Sequence, residues 1–141
     1  MRTTQMCDPP VAASVPGATV LLVDDNAAFR DITEMALSSL GHVVQPSGSP
    51  EAALATVSGS SQFELLITDV VMSTMNGVDL AAQVRRIRPE MKVLFCSGYP
   101  AAALARQGLD LSAGEFLMKP ISLGALSSKI TALLGQPGAL T

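Results

Sequence analysis

Three carboxylates, a hydroxyl and an ammonium stand at the ends of short apolar runs in this sequence. Asp24 and Asp25 close the run Thr19-Val20-Leu21-Leu22-Val23, and Asp69 closes Phe63-Glu64-Leu65-Leu66-Ile67-Thr68; Ser97 follows Lys92-Val93-Leu94-Phe95-Cys96, and Lys119 follows Glu115-Phe116-Leu117-Met118. Clustered carboxylates repel one another, so ionising all of them is costly unless a cation sits between, and hard oxygen ligands with room for water suit Mg2+. A lysine beside them can pair with a carboxylate or with the oxygens of an incoming phosphoryl group, and a serine hydroxyl can donate to that same group. Together these residue types describe a carboxylate that accepts a phosphoryl group. On that reading Asp69 would be the nucleophile, and Asp24, Asp25 and a backbone carbonyl near Val71 would hold the metal that screens charge as the carboxylate oxygen attacks phosphorus. Each residue alone has a plainer reading, as a helix-capping acidic turn, a solvated lysine or a turn serine. Their shared placement beyond the carboxyl ends of parallel strands, where open α/β sheets bind ligands, carries the functional reading.

The elements that must position them alternate in kind. From Thr19 onward, short β-branched or leucine-rich runs are separated by longer segments of helical period, the pattern of a sheet with helices packed on its faces. After the first run, Phe29, Ile32, Met35, Ala36 and Leu40 recur at three- and four-residue spacing before a glycine stop at Gly41. A second strand over 42–45 leads through Ser49-Pro50-Glu51, which are a cap, a first-turn proline and a first-turn acid, into a helix carrying Ala52, Leu54, Ala55 and Val57. The third strand is followed by an irregular stretch to Gly77 and a helix over 78–87 stopped near Pro89, with Arg85, Arg86 and Arg88 as its solvated end. A short alanine-rich helix over 100–107 follows the fourth strand, and a last helix after the fifth sets Leu123, Leu126, Ile130, Leu133 and Leu134 on one face. Nearly continuous apolar strands with amphipathic connectors imply a parallel sheet covered on both sides, a (βα)5 unit. The reading divides the chain into a flexible leader over 1–17, rich in Pro and small polar residues, one domain over 18–136, and a frayed end over 137–141.

Composition narrows the alternatives. A chain of 141 residues with 48% hydrophobic content holds one compact core, and nine Lys plus Arg against twelve Asp plus Glu, with no long basic block, argues against a nucleic-acid surface. No apolar run approaches the roughly 18 residues of a spanning helix and the first residues lack an apolar signal core, so no membrane anchor is read and a cytoplasmic location is expected. One His and two Cys leave little for a zinc site; Cys7 and Cys96 suit free thiols, with Cys96 as packing. His42, after Gly41, reads as an ordinary strand-start residue.

At LLVDDN (21–26), LLITDVVM (65–72), MNG (75–77), VLFCSGY (93–99) and FLMKP (116–120) the chain resembles the receiver domain of the two-component response-regulator family, over roughly residues 19–135. The wording at VLFCSGY and FLMKP is similar to single-domain regulators and to receivers of hybrid histidine kinases. The resemblance implies a flavodoxin-like (βα)5 doubly wound parallel α/β sheet of strand order 2-1-3-4-5, with Asp69 as phosphoacceptor and Asp24 and Asp25 as the acidic pair positioning Mg2+. By the same resemblance Lys119 meets the phosphoryl oxygens and precedes a cis bond to Pro120. Ser97 closes on the phosphoryl group, Phe116 is the aromatic switch, and Gly98 leaves room in the pocket. Two features depart from the family pattern. Ser73-Thr74 stand where Pro-Gly is frequent, which predicts a less rigid loop; Phe116 lacks a tyrosine hydroxyl, so its inward state rests on packing.

The implied function is a signalling phosphoacceptor, not a turnover enzyme. A histidine kinase or histidine phosphotransfer protein donates its phosphoryl group, the charge draws Ser97 and Lys119 inward, and the face of the fourth helix, fifth strand and fifth helix changes for a downstream protein or a second copy. If no output domain follows Thr141, the effect is expected to pass to a partner protein, to a dimer through that face, or back through a phosphorelay. A phosphatase using Asp69 is a competing reading, but it needs a general acid two residues on, where Val71 stands; a degenerate receiver acting as a phosphorylation-independent binding module is another. Val71 and Tyr99 flank the acceptor pocket with bulky groups, which predicts slow water attack on the acyl phosphate.

Overall fold

The computed structural model describes residues 17–59 and 63–134. Ten elements alternate strictly along the chain: β1 Thr19–Val23, α1 Ala27–Ser39, β2 Val43–Ser47, α2 Pro50–Ser58, β3 Leu65–Asp69, α3 Gly77–Ile87, β4 Lys92–Ser97, α4 Ala101–Arg106, β5 Glu115–Met118 and α5 Leu123–Leu134. All strand pairs are parallel, and the order across the sheet is β2-β1-β3-β4-β5, as the resemblance implies. The leader to residue 16 and the chain from residue 135, with Cys7, lie outside the described residues.

Side chains alternate across a strand, so each strand feeds two cores. Leu21, Val23, Leu66, Val93 and Phe95 face α2, α3 and Leu104 of α4. Val20, Leu22, Leu65, Ile67, Leu94 and Cys96 face Leu37 of α1 and Leu126 and Ile130 of α5. Burying each Leu, Val or Phe contributes about 1.5–3 kcal/mol, which explains why the three central strands are apolar nearly throughout.

Boundaries follow local chemistry. Ser49 Oγ accepts a hydrogen bond from the Ala52 N–H at 3.1 Å and Pro50 opens α2, as its sequence signals predict. Gly41 ends the α1 connection at φ +94°, a conformation that side chains resist. β2 begins after His42 and runs through Pro46, which is tolerated because β2 is an edge strand. His42 is buried rather than part of the strand; its Nδ1 accepts from the Ala18 N–H at 3.0 Å, and burial pushes its pKa below the usual value, against the pull of Glu64.

Three helix faces differ from the expected stripes. In α1 the buried residues are Thr33 and Leu37, while Ile32 and Met35 are 67% and 71% exposed. In α2 Ala53 and Val57 face inward and Ala52 and Ala55 outward; in α5 Leu123 is exposed. Hydropathy ranks Ile and Met above Thr and treats every Ala alike, whereas the helix rotation is set by which side chains fit the sheet below. Arg85 and Arg86 do fall in the last turn of α3, and Arg88 pairs with Glu90 at 2.6 Å. Among the described residues no helix is long and apolar enough to cross a membrane.

Candidate functional site

Parallel pairing in register brings the carboxyl ends of β1, β3, β4 and β5 to one edge. Asp69 is the last residue of β3 and sits opposite Cys96; Ser97 ends β4 opposite Met118, and the Lys119 N–H extends that ladder by donating to the Ser97 carbonyl at 2.7 Å. Asp24 follows β1, its N–H donating to the Ser47 carbonyl of β2 at 3.2 Å. Each side chain is thus aimed by backbone pairing rather than by a loop.

Asp24 is fully buried and both of its oxygens are engaged: Oδ1 accepts from the Asn26 N–H at 2.8 Å, and Oδ2 from Lys119 Nζ at 2.9 Å. The same ammonium lies 3.6 Å from Asp69 Oδ1 and 3.9 Å from the centre of the Phe29 ring, so three groups fix its place. Asn26 also caps α1, its Oδ1 accepting from the Phe29 N–H at 2.9 Å, which links the acidic turn to the helix that carries Phe29. The Lys119-Pro120 bond is cis, as the resemblance implies.

Asp69 is buried, and its pKa is pushed up to about 6. Burial is the largest cause; Lys119 pulls the other way, Asp24 raises it further, the Val70 N–H lowers it and Asp25 adds a smaller upward push. Asp24, Asp25 and Asp69 can each present a carboxylate oxygen within 4.8 Å of the other two. Three carboxylates this close, with one lysine between two of them, leave a surplus of negative charge that a divalent cation offsets, and an all-oxygen donor set suits Mg2+. The donor chemistry fits the metal that the resemblance implies.

Ser97 is buried, and its Oγ accepts from the Tyr99 N–H at 2.9 Å. Phe116 pairs with Phe95 across the strands and packs half-buried against the α2/α3 core. Val71 and Tyr99 are 45% and 55% exposed. A Cβ at Gly98 would meet open space, so crowding there could come only from a bound group. Burial holds the Cys96 thiol protonated, its pKa pushed up to about 12, in keeping with a packing role.

Four participants escape a strand-end reading. Phe29, counted there as helix core, flanks Lys119. Gly77, the first residue of α3, touches the end of β3 so closely that a Cβ would collide with the Asp69 carbonyl, and its N–H donates to the Val70 carbonyl at 2.8 Å. Ser73 donates to Asp25 Oδ2 from its N–H at 3.2 Å and its hydroxyl at 3.4 Å, and Thr74 Oγ1 lies 3.3 Å from Glu51 Oε1. At Ser73-Thr74, where a less rigid loop is expected, these bonds are tethers to the turn between β1 and α1 and to α2. The absent proline was the visible signal, but the tethers join positions 48 and 23 residues apart in the chain, invisible to local reading.

Comparison with known proteins agrees with this fold. The family described as response regulator receiver domain matches residues 20–131. The chain is 35% identical over 126 residues to the DNA-binding transcriptional regulator NtrC of Azospirillum brasilense, covering 87% of this chain and 26% of that protein. It is 37% identical over 118 residues to the sensor kinase CckA of Brucella abortus, covering 83% of this chain and 12% of the kinase. The chain thus spans about a quarter or less of these two relatives. Among solved structures, a CheY-like response regulator receiver domain protein from Methanospirillum hungatei superposes with a TM-score of 0.75 at 28% identity, covering 89% of this chain and 99% of the other.

Proposed function

This chain belongs to the response regulator receiver domain family, phosphoacceptor modules of two-component signalling, and on that premise we propose that Asp69 accepts the phosphoryl group from a phosphohistidine partner. The observation that carries the assignment is the convergence of Asp24, Asp25, Asp69 and Lys119 in one pocket, where burial raises the proton affinity of Asp69. A carboxyl that titrates near 6 is ionised at neutral pH yet poorly solvated, which keeps its oxygen nucleophilic. An Asp69 oxygen attacks phosphorus, the phosphorus–nitrogen bond to the donor imidazole breaks, and the imidazole leaves.

Lys119 is already held at the pocket by Asp24 and Phe29, so its ammonium can turn to the phosphoryl oxygens without crossing bulk solvent. Ser97 Oγ accepts from Tyr99, which leaves its own proton free to donate to the same group. Asp24, Asp25, Asp69 and the Val71 backbone carbonyl are the residues that would hold Mg2+, whose charge neutralises the phosphoryl oxygens. The movement of Ser97 then draws Phe116 inward and alters the α4–β5–α5 face, offered to a downstream protein or a second copy.

The donor is a histidine kinase or histidine phosphotransfer protein acting in the cytoplasm. A largely apolar cavity of about 170 Å3 between α1 and the start of α5, lined by Phe29, Ile32, Ala36, Ile121 and Leu123, adjoins the pocket through Phe29 and Pro120. It suits an apolar side chain of the protein that brings the phosphohistidine, with Ile32 of its lining and Met35 on the same helix both exposed.

Intact-mass spectrometry after incubation with acetyl phosphate tests the assignment. The expected result is a Mg2+-dependent gain of about 80 Da, one phosphoryl group, in the wild type and none in a folded Asp69→Ala variant. A gain of equal size in Asp69→Ala would place the acceptor elsewhere.

A further inference from the structure

We propose that Ser73 is a positioning residue for the metal, orienting Asp25 through two donors on one carboxylate oxygen; this rests on reading the acidic pocket as a Mg2+ site. Asp25 is the exposed member of the three acids. Unassisted, an exposed aspartate samples several rotamers, and fixing it costs side-chain entropy whenever a ligand binds. Here the Ser73 N–H and hydroxyl both reach Oδ2, at 3.2 and 3.4 Å, so the carboxylate is turned before any ligand arrives. Convergence on Oδ2 leaves the lone pairs of Oδ1 for a cation, and a carboxylate has acceptor sites enough for both.

The donors are themselves anchored. Thr74, next in the chain, reaches Glu51 in the first turn of α2, and Gly77 locks the far end of the loop against the end of β3. Ser73 is therefore presented to Asp25 by a loop anchored at the next residue and at its far end. A proline at this position would offer neither donor, having no N–H and no hydroxyl. Metal affinity in this chain then depends on a residue that touches neither metal nor phosphoryl group, by way of the aspartate it holds.

The test is Mg2+ binding by isothermal titration calorimetry on the full chain, without phosphodonor, for wild type, Ser73→Thr, Ser73→Ala and Ser73→Pro, with thermal melts as a control on folding. Ser73→Thr keeps both donors and retains wild-type affinity. Ser73→Ala keeps only the N–H and weakens binding about twofold, and Ser73→Pro loses both and weakens it about threefold to tenfold. Slower hydrogen exchange of the residue 73 amide on adding Mg2+ to wild type gives a second readout, since the N–H to Asp25 bond tightens when the carboxylate is fixed. Affinity in folded Ser73→Ala tighter than wild type, with the wild-type residue 73 amide exchanging faster in Mg2+, would mean that Ser73 competes with the metal and overturns the proposal. If Ser73→Pro does not fold, the Thr and Ala pair carries the comparison. No Mg2+ binding by wild type would remove the metal-site reading itself, a failure distinguishable from equal binding by all variants, which removes only the role of Ser73.

Discussion

Replacing Asp69 with Asn should make the metal-free protein more stable at neutral and alkaline pH. The carboxyl is buried beside Asp24 and Asp25, and its pKa is raised from 3.8 to about 6 in the folded state. The folded state therefore holds the proton more tightly than the unfolded chain does. The penalty for ionised Asp69 is absent below the unfolded pKa, grows between 3.8 and about 6, and is complete above that. About two pKa units correspond to a ceiling of about 3 kcal/mol at 1.36 kcal/mol per unit. The pocket opens to solvent and Lys119 loses a partner 3.6 Å away, so a gain of about 1–2 kcal/mol is expected. Asn keeps the shape of the side chain, so cavity effects drop out. Urea unfolding in a chelating buffer at pH 8 should show this gain, and the two proteins should converge toward pH 4. Adding Mg2+ at pH 8 should stabilise the wild type more than the variant, since only the wild type keeps all three carboxylates. A variant no more stable than wild type at pH 8 without metal, or an advantage undiminished at pH 4, would refute the electrostatic account of the pocket.

Gly77→Ala should destabilise the fold by about 1–3 kcal/mol, because its Cβ meets the Asp69 carbonyl and the end of β3 must shift; chemical denaturation measures the loss, and slower phosphorylation by acetyl phosphate should accompany it. Val71→Asn and Tyr99→Ala should each shorten the life of the acyl phosphate several-fold by opening the pocket to water, read from the decay of the phosphorylated mass after the donor is removed; an unchanged decay in both would mean that other groups shield it. His42 has a lowered pKa, so its contribution to stability should be lost as pH falls below the unfolded value of 6.5. His42→Asn, whose Oδ1 can take over the bond from Ala18 without titrating, should therefore gain stability relative to wild type as pH falls from 7 to 5, read as the difference between the two unfolding free energies at each pH.

Much of the architecture is legible in one dimension because its causes are local. Val20 to Val23 and Leu65 to Ile67 are apolar on both faces, which only a doubly covered parallel strand requires, and Ser49-Pro50-Glu51 carries its own start signal. Asp24, Asp69, Ser97 and Lys119 are each the polar residue that closes or follows such a run, so their meeting at one edge follows once the strands are parallel. The rotation of α1 is another matter. Whether Ile32 or Thr33 turns inward depends on the surface that β1 and α5 offer, which no helical period encodes. The same holds for Lys119 on Phe29, Ser73 on Asp25 and Gly77 against Asp69. Each joins separate segments and costs or gains free energy only when the sheet has brought them into contact. Chemical identity and strand-end position were thus written along the chain; the raised proton affinity of Asp69, the placement of Lys119 and the hold on Asp25 came into being only with burial and long-range proximity, which set electrostatics through space rather than through sequence.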